Sequence, residues 1–369
     1  MKNVSRITFG LLLILASLNL RAQNQQSEPI RLAIAGMTHG HVGFILNRGN
    51  KPDLQITGIY EPDRELAKQY AKTFRFDTAL IFSNLEAMLD QVKPEAVVAF
   101  GSIYEHLAVV EACAPRGIHV MVEKPLAVNM EHAGKMRDLA AKNHILLLTD
   151  YETSWYPSTA KSWQLVNKDG FVGEIRRVVI HDGHQGPKEI GCSKEFLDWL
   201  TDPVQNGGGA IIDFGCYGAN LMTYLTRGLE PVSVTAVTRQ FKPEMYPKVD
   251  DDATIIVTYP NSVCVIQASW NWPFGRKDME IYGDKGYIIA ENNKDMRLKN
   301  METPVEIRRQ VTSNDVAVFE DPFAYFAGVI RGKVKMTDYD PYSLENNIMV
   351  IRILDAARES ARTGRTIHF

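Results

Sequence analysis

Three short stretches carry the residue types best suited to chemistry. The first is Glu123-Lys124-Pro125, directly after the apolar run 120–122. A charged pair at the carboxyl end of a buried parallel strand stands where α/β proteins bind ligands. A surface ion pair has no need of a strand end. Proline after Lys124 fixes the turn and leaves a cis bond open to it. The second stretch runs from Gly207-Gly208-Gly209 into an apolar segment ending at Asn220. Glycines there permit a tight backbone approach into a helix. Asp213, Tyr217 and Asn220, four and three residues apart, then share one helical face. An acid, a phenol and an amide among apolar neighbours suit an alcohol substrate; capping by Asp213 with Tyr217 in the core is the plainer alternative.

The third stretch is Gly36-Met37-Thr38-His39-Gly40-His41, between an apolar strand and a helix. Such a turn offers free amide N–H groups to a dinucleotide pyrophosphate. Of the glycine pattern GxGxxG only the first is in register, with Thr38 and His41 at the other two places. Glu61, at the end of the next strand, can accept both ribose hydroxyls of NAD and would repel a 2′-phosphate. Its alternative is a solvated turn acid. His181 and His184, in Ile180-His181-Asp182-Gly183-His184, read as hydrogen-bonding groups for a substrate rather than as metal ligands. Trp155, Tyr156, Trp270 and Trp272 offer stacking faces for a sugar ring, or sheet-core packing.

The elements that position these residues follow from hydrophobic periodicity. Strands are predicted at 31–36, 54–60, 80–82, 96–100, 120–122 and 145–149, with helices at 41–47, 63–74, 84–91, 105–116 and 130–143. This alternation with short loops is the signature of a doubly wound, Rossmann-type parallel sheet covered on both faces. The expected NAD-binding domain spans 30–150. Beyond 151 the rhythm changes. A helix at 159–167 precedes strands at 175–181, 232–238, 253–259, 263–270, 278–282 and 287–290, and the chain closes with a helix at 344–363. Short spacing and Gly, Pro and Asn turns predict hairpins in one large, mainly antiparallel sheet. Residues 151–369 are therefore an α+β domain for substrate and oligomerisation, whose last helix is free to pack back on the first domain.

Composition bounds the rest. The chain has 369 residues, 45% hydrophobic and 23% charged, with a formal charge of −3. Basic residues form no stripe, which argues against nucleic acid as a partner. Cys113, Cys192, Cys216 and Cys264 form no CxxC pair and read as buried thiols, with one bridge left open. The first 22 residues have Lys2 and Arg6 before an apolar run and a small residue at the cut. That is the layout of a cleavable signal peptide, with the run too short to span a bilayer. An exported, periplasmic protein without a membrane anchor is the expectation; an uncleaved anchor or buried helix is the alternative.

With these residues assembled, the chain resembles the Gfo/Idh/MocA oxidoreductases, in the glucose–fructose oxidoreductase-like branch, from about residue 30 onward. The likeness rests on the first strand and turn, Glu61-Pro62-Asp63, His106, the segment 117–126, Gly173-Glu174-Ile175, the segment 207–220 and Gly283-Asp284-Lys285-Gly286. It implies a catalytic set of Lys124, Asp213 and, where many members have histidine, Tyr217. It implies NAD held by Gly36, Thr38, His39, His41, Glu61, Ser102, His106, Glu123, Lys124 and Trp155. It also implies a carbohydrate substrate met by His181, His184, Tyr156, Asn220 and Trp272, with no metal. Two departures stand out: two turn glycines are missing, and Ser154 replaces an arginine common before Trp155-Tyr156-Pro157.

The chemistry expected of the set is oxidation of a secondary alcohol. Tyr217 takes the hydroxyl proton, its phenolate favoured by a nearby ammonium. Lys124 stabilises the developing oxyanion and orients the nicotinamide ribose, and Asp213 anchors the hydroxyl. Resemblance and export together imply a sugar or glycoside oxidised at a ring carbon, best at C3 to give a 3-keto glycoside. NAD is scarce outside the cytoplasm, so it would be tightly bound and recycled in place. Alternatives are a redox-neutral glycosidase working by oxidation, elimination, addition and reduction, and a sugar-binding protein without catalysis. Family analogy implies a homodimer or homotetramer.

Overall fold

The computed structural model describes residues 28–49, 51–319 and 321–369; the first 22 residues, expected above to be a signal peptide, lie outside them. Six parallel strands form the first sheet: β1 (Ile30–Ala35), β2 (Leu54–Tyr60), β3 (Ile81–Phe82), β4 (Ala96–Ala99), β5 (His119–Glu123) and β6 (Leu147–Asp150), in the order β3-β2-β1-β4-β5-β6. β4 is buried along its whole length, which is why it reads as an unbroken apolar run. Local chemistry starts the helices. Asp63 caps α2 (Arg64–Phe74) by accepting from the amides of Glu65 and Leu66, and Asn129 caps α5 (Met130–Asn143) through His132 N. α1 (Val42–Leu46), α3 (Leu85–Val92) and α4 (His106–Cys113) complete the layer.

Strand order reverses between β1 and β4, the switch point at which open α/β sheets bind ligands. Gly36 ends β1 there with φ +80°, and a Cβ on it would lie 2.7 Å from Gly101 N. Both the dihedral and the close approach demand glycine.

The second sheet has nine strands, in the order β14-β13-β12-β11-β7-β10-β9-β8-β15. β7 (Ile175–Gly183), β8 (Ser233–Arg239), β9 (Asp252–Thr258), β10 (Val263–Ser269), β11 (Arg276–Gly283) and β12 (Gly286–Ala290) fall where sequence pattern places them. β13 (Asp295–Asn300), β14 (Ile307–Gln310) and β15 (Ile367–His368) do not follow from pattern, being short and rich in charged or polar residues. Pairing is antiparallel throughout except that β7 and β10 run parallel. β10 and β11 are consecutive and opposed but flank β7, so β7 can oppose only one of them. The connection 270–275 must therefore cross the end of β7, which brings Trp270 to the site, where its Nε1 donates to Asp213.

Helices cover one face of this sheet. α6 (Pro157–Asn167) and α7 (Lys194–Leu200) are followed by α8 (Ala210–Asp213) and α9 (Gly215–Leu225), which break at Phe214 where one helix is expected. The glycines before them work by proximity: a Cβ on Gly209 would sit 1.8 Å from Asp250 O. α10 (Pro322–Ile330) packs on the first sheet through Phe323 and Phe326. α11 (Leu344–Thr363) starts at the Ser343 cap, ends at left-handed Gly364, and touches the first domain where Asp355 accepts from Met130 N at 2.8 Å. All four cysteines are free thiols, three of them buried.

Candidate functional site

The carboxyl end of β5 meets the α8–α9 break at the base of a cavity of about 390 Å³ between the domains. Lys124 Nζ lies 2.5 Å from Asp213 Oδ1, and the other carboxylate oxygen accepts from Trp270 Nε1 at 2.9 Å. Both partners are about 5% exposed. The Lys124–Pro125 peptide is cis. Burial opposes the charge on each member, but each offsets it for the other: the Asp213 carboxyl is held below its usual range and the Lys124 ammonium above its own. The resting pair is therefore a carboxylate and an ammonium.

Tyr217 stands one turn along, lining the same cavity and packed edge-on against Tyr151 at 5.4 Å. Here the structure corrects the sequence reading. Lys124 Nζ is over the face of the Tyr217 ring, 5.4 Å from its centroid, with its short bond given to Asp213. Burial, then the charges of Glu152, Asp182 and Glu123, hold the phenol well above its ordinary value. Tyr217 therefore rests as a protonated phenol, with the short bond of the Lys124 ammonium given to Asp213. The ionised acceptor of the set is Asp213.

Lys277 is the residue that sequence reasoning missed. It sits on β11, faces the cavity, lies 4.8 Å from the Tyr217 ring centroid and pairs with Glu152, which also accepts from Tyr156 Oη at 2.6 Å. Its signal was available only as alternation along β11: Lys277 is opposite inward-facing Asp182 on β7, whereas Asp278 is opposite His181.

Other expected substrate contacts divide. His184 lines the cavity, its ring edge-on to Phe214 at 4.9 Å and its Nδ1 accepting from Gly186 N. Burial lowers its pKa. His181 is spent on Asp278 at 2.9 Å, on the other face of the strand. Tyr156 gives its hydroxyl to Glu152 and lines a small hollow with Asp182 and Lys277. Trp272 donates its amide to His184 O and stacks under the Arg276 guanidinium, 5.4 Å away, outside the cavity lining. Asn220 is fully buried and points away: its amide donates to Pro341 O at 2.8 Å and to Asn346 Oδ1 at 3.1 Å. Seven residues, about two helical turns, separate it from Asp213. Asn220 ties α9 to α11 instead of touching substrate.

The dinucleotide turn is built on the other side of His39. A second cavity, about 130 Å³, is lined by Gly36, Thr38, Glu61, Gly101 and His106. Glu61 is buried at the end of β2, with Oε2 accepting from Met37 N at 2.8 Å and Oε1 from Asp63 N at 3.0 Å. These bonds fix the carboxylate and leave each oxygen a further lone pair for a ribose hydroxyl. Thr38 Oγ1 and His106 Nε2 are buried without partners among the described residues. Fixed acceptor, strained glycine and orphaned polar atoms fit the adenosine and phosphate half of NAD. His106 Nδ1 contacts Leu126 O at 3.2 Å, and burial takes its pKa down to about 4, so it is neutral.

Two residues assigned to the cofactor are not among those lining that cavity. Ser102 Oγ is engaged by Glu105 at 3.1 Å and Gln205 at 2.8 Å. Trp155 lines a separate hollow with Thr159 and Tyr325, its ring edge-on to Phe44 at 5.6 Å. His39, His41 and Glu123 cluster, with Glu123 Oε1 3.1 Å from His41 Nδ1 and 4.0 Å from His39 Nε2. His39 Nδ1 accepts from His41 N at 3.1 Å, which leaves its proton on Nε2, 4.0 Å from the Glu123 carboxylate and beyond hydrogen-bond reach.

Sequence comparison places this geometry in a class. Residues 30–151 match the NAD-binding Rossmann-fold domain of the oxidoreductase family GFO/IDH/MocA, and residues 164–289 match that family's C-terminal domain. The chain belongs to the Gfo/Idh/MocA oxidoreductases. Among characterised relatives, the D-xylose 1-dehydrogenase (NADP+) of Haloarcula marismortui is 22% identical over 355 residues, 94% of each chain. The trans-1,2-dihydrobenzene-1,2-diol dehydrogenase of Bos taurus is 26% identical over 62% of this chain and 64% of its own. The aldose-aldose oxidoreductase of Caulobacter crescentus, solved with glycerol, superposes with a TM-score of 0.76 at 20% identity, covering 93% of this chain and all of that one. An inositol dehydrogenase homologue from Azotobacter vinelandii, solved with NAD+, gives 0.78 at 16% identity over 93% and 98%. The two structures establish the shared fold.

Proposed function

We propose that the protein is an exported oxidoreductase that oxidises a ring secondary alcohol of a sugar or glycoside, with C3 the favoured position and NAD held tightly and recycled. One observation carries the reading: the buried Lys124–Asp213 pair, beside Tyr217, at the base of an interdomain cavity that adjoins the dinucleotide turn. Relatives named for xylose and diol oxidation support the alcohol class. Glu61 supports NAD over NADP, because a fixed carboxylate repels a 2′-phosphate.

Bound NAD supplies the hydride acceptor. The protein's part is positioning and proton control. Lys124 donates to the substrate oxygen as negative charge develops on it, and Asp213 is the acceptor for the hydroxyl proton. Tyr217, protonated, orients the substrate by hydrogen bonding. His184 and Lys277 face the remaining hydroxyls. Incubation of purified protein with NAD and a panel of glycosides, sugars and cyclitols should yield keto products and reduced cofactor. Release of free sugar without net reduced cofactor would move the assignment to a redox-neutral glycosidase. No product from any of them would remove the assignment.

A further inference from the structure

We propose that residues 193–206 form a strap that closes over the dinucleotide turn and retains the cofactor between turnovers, with the Trp199 indole N–H as a donor to its phosphates. This rests on reading the protein as a dinucleotide enzyme. The strap belongs to the second domain, yet its side chains are latched to the first. Glu195 Oε1 accepts from Tyr70 Oη at 3.0 Å. At the far end, Gln205 O accepts from Tyr104 N at 3.0 Å, and its side-chain oxygen accepts from Ser102 Oγ at 2.8 Å. Between the latches, Phe196 and Trp199 pack on His39, with ring centroids 4.7 and 5.6 Å away.

These anchor points follow β2, β1 and β4 in turn, and those strands are spatial neighbours in that order. Tyr70 lies on the helix after β2, His39 on the turn after β1, and Ser102 and Tyr104 just beyond β4. A dinucleotide takes that line across the carboxyl ends of such a sheet. Trp199 is 7% exposed, and its Nε1 has no partner among the described residues. Buried indole N–H groups find acceptors, and a phosphate on the adjoining turn is one. Phe196 and Leu200 also wall the substrate cavity, so one segment closes both halves of the site.

The strap is bounded at each end by a glycine turn. Gly191 (φ +78°) precedes it and Gly207 (φ +85°) follows it, both in the left-handed region that glycine tolerates. Just before Gly191, Glu189 is held to the second domain by Lys242 and Tyr246. The hinge is thus defined on the fixed side.

The test is the release rate of NADH, followed by stopped-flow fluorescence during a chase with excess NAD, together with the melting temperature of cofactor-free protein. Tyr70→Phe and Gln205→Ala each cut a latch; Trp199→Phe removes the indole donor and keeps an aromatic ring. Release should be at least tenfold faster in each variant, with the melting temperature of Tyr70→Phe unchanged. Tyr70→Phe, which deletes a single oxygen, keeps the test open should Trp199→Phe misfold. Wild-type protein that binds NADH and releases it no more slowly than the latch variants overturns the strap alone. Wild-type protein that binds no dinucleotide overturns the functional reading and the strap together.

Discussion

Lys124 and Asp213, 89 residues apart in the chain, meet with Nζ 2.5 Å from Oδ1 at the seam between the two domains. Trp270 Nε1 takes the remaining carboxylate oxygen, so the pair is oriented from both sides. A buried ion pair is weak support for stability, because desolvation offsets most of its attraction. Its placement at the base of a cavity gives it a chemical reason to persist. The ammonium can stabilise an alkoxide only if the carboxylate keeps it charged and aimed.

Lys124→Met and Asp213→Asn should therefore fail as a unit. Each is expected to lower kcat/KM by about 10³-fold, and the double variant should be no worse than the poorer single, as for groups that act together. Steady-state kinetics of the three variants checks this. Independent, multiplying losses would mean that the two residues serve separate steps.

Tyr217→Phe should behave differently. Burial and the acids around it keep the phenol above its ordinary value, so wild-type activity should show no tyrosine ionisation between pH 6 and 9. The variant should lose about 10- to 100-fold in kcat/KM while the shape of its pH profile is unchanged. A fall in wild-type activity toward low pH that disappears in the variant would restore Tyr217 as the proton acceptor.

Stability should respond to acid through His106. Its folded pKa of about 4 lies below the ordinary histidine value, because burial disfavours the imidazolium. The unfolded chain then takes up a proton before the folded one does. Stability from this group is complete above pH 6.5 and is lost as pH falls toward 4, by about 3 kcal/mol at most. Urea unfolding of wild type and His106→Gln at pH 7 and pH 4.5 measures it. The variant should lose less between the two pH values than wild type does.

Cofactor choice should follow Glu61. Both of its oxygens are fixed by backbone amides, so the charge cannot swing away from a 2′-phosphate. Glu61→Ser should shift the ratio of kcat/KM values toward NADP by about tenfold or more. An unchanged ratio would show that the carboxylate does not read the ribose.

The first domain was largely legible because its strands β1, β4, β5 and β6 are almost wholly buried and its helices carry local caps such as Asp63 and Asn129. Lys124 was legible for the same reason: a charge ending an apolar run is conspicuous. The second domain yielded less. Asn220 shares helical spacing with Asp213 in the sequence, but it lies about two turns farther on, where α9 meets α11. Lys277 and His181 swap importance because register, which no local pattern encodes, decides which face of β11 and β7 meets the cavity. The Tyr217 ammonium was misjudged for a related reason. Sequence places Lys124 near Tyr217 but cannot say that Asp213 has already claimed its bond.

The most direct test of the central claim is hydride transfer itself. Glycosides deuterated at each ring carbinol carbon in turn are mixed with NAD-loaded protein, and the extracted nucleotide is examined by mass spectrometry. Deuterium should appear in the nucleotide, most strongly from the C3-labelled substrate, in wild type and not in Asp213→Asn. No transfer from any labelled position, under conditions where NAD stays bound, would contradict it.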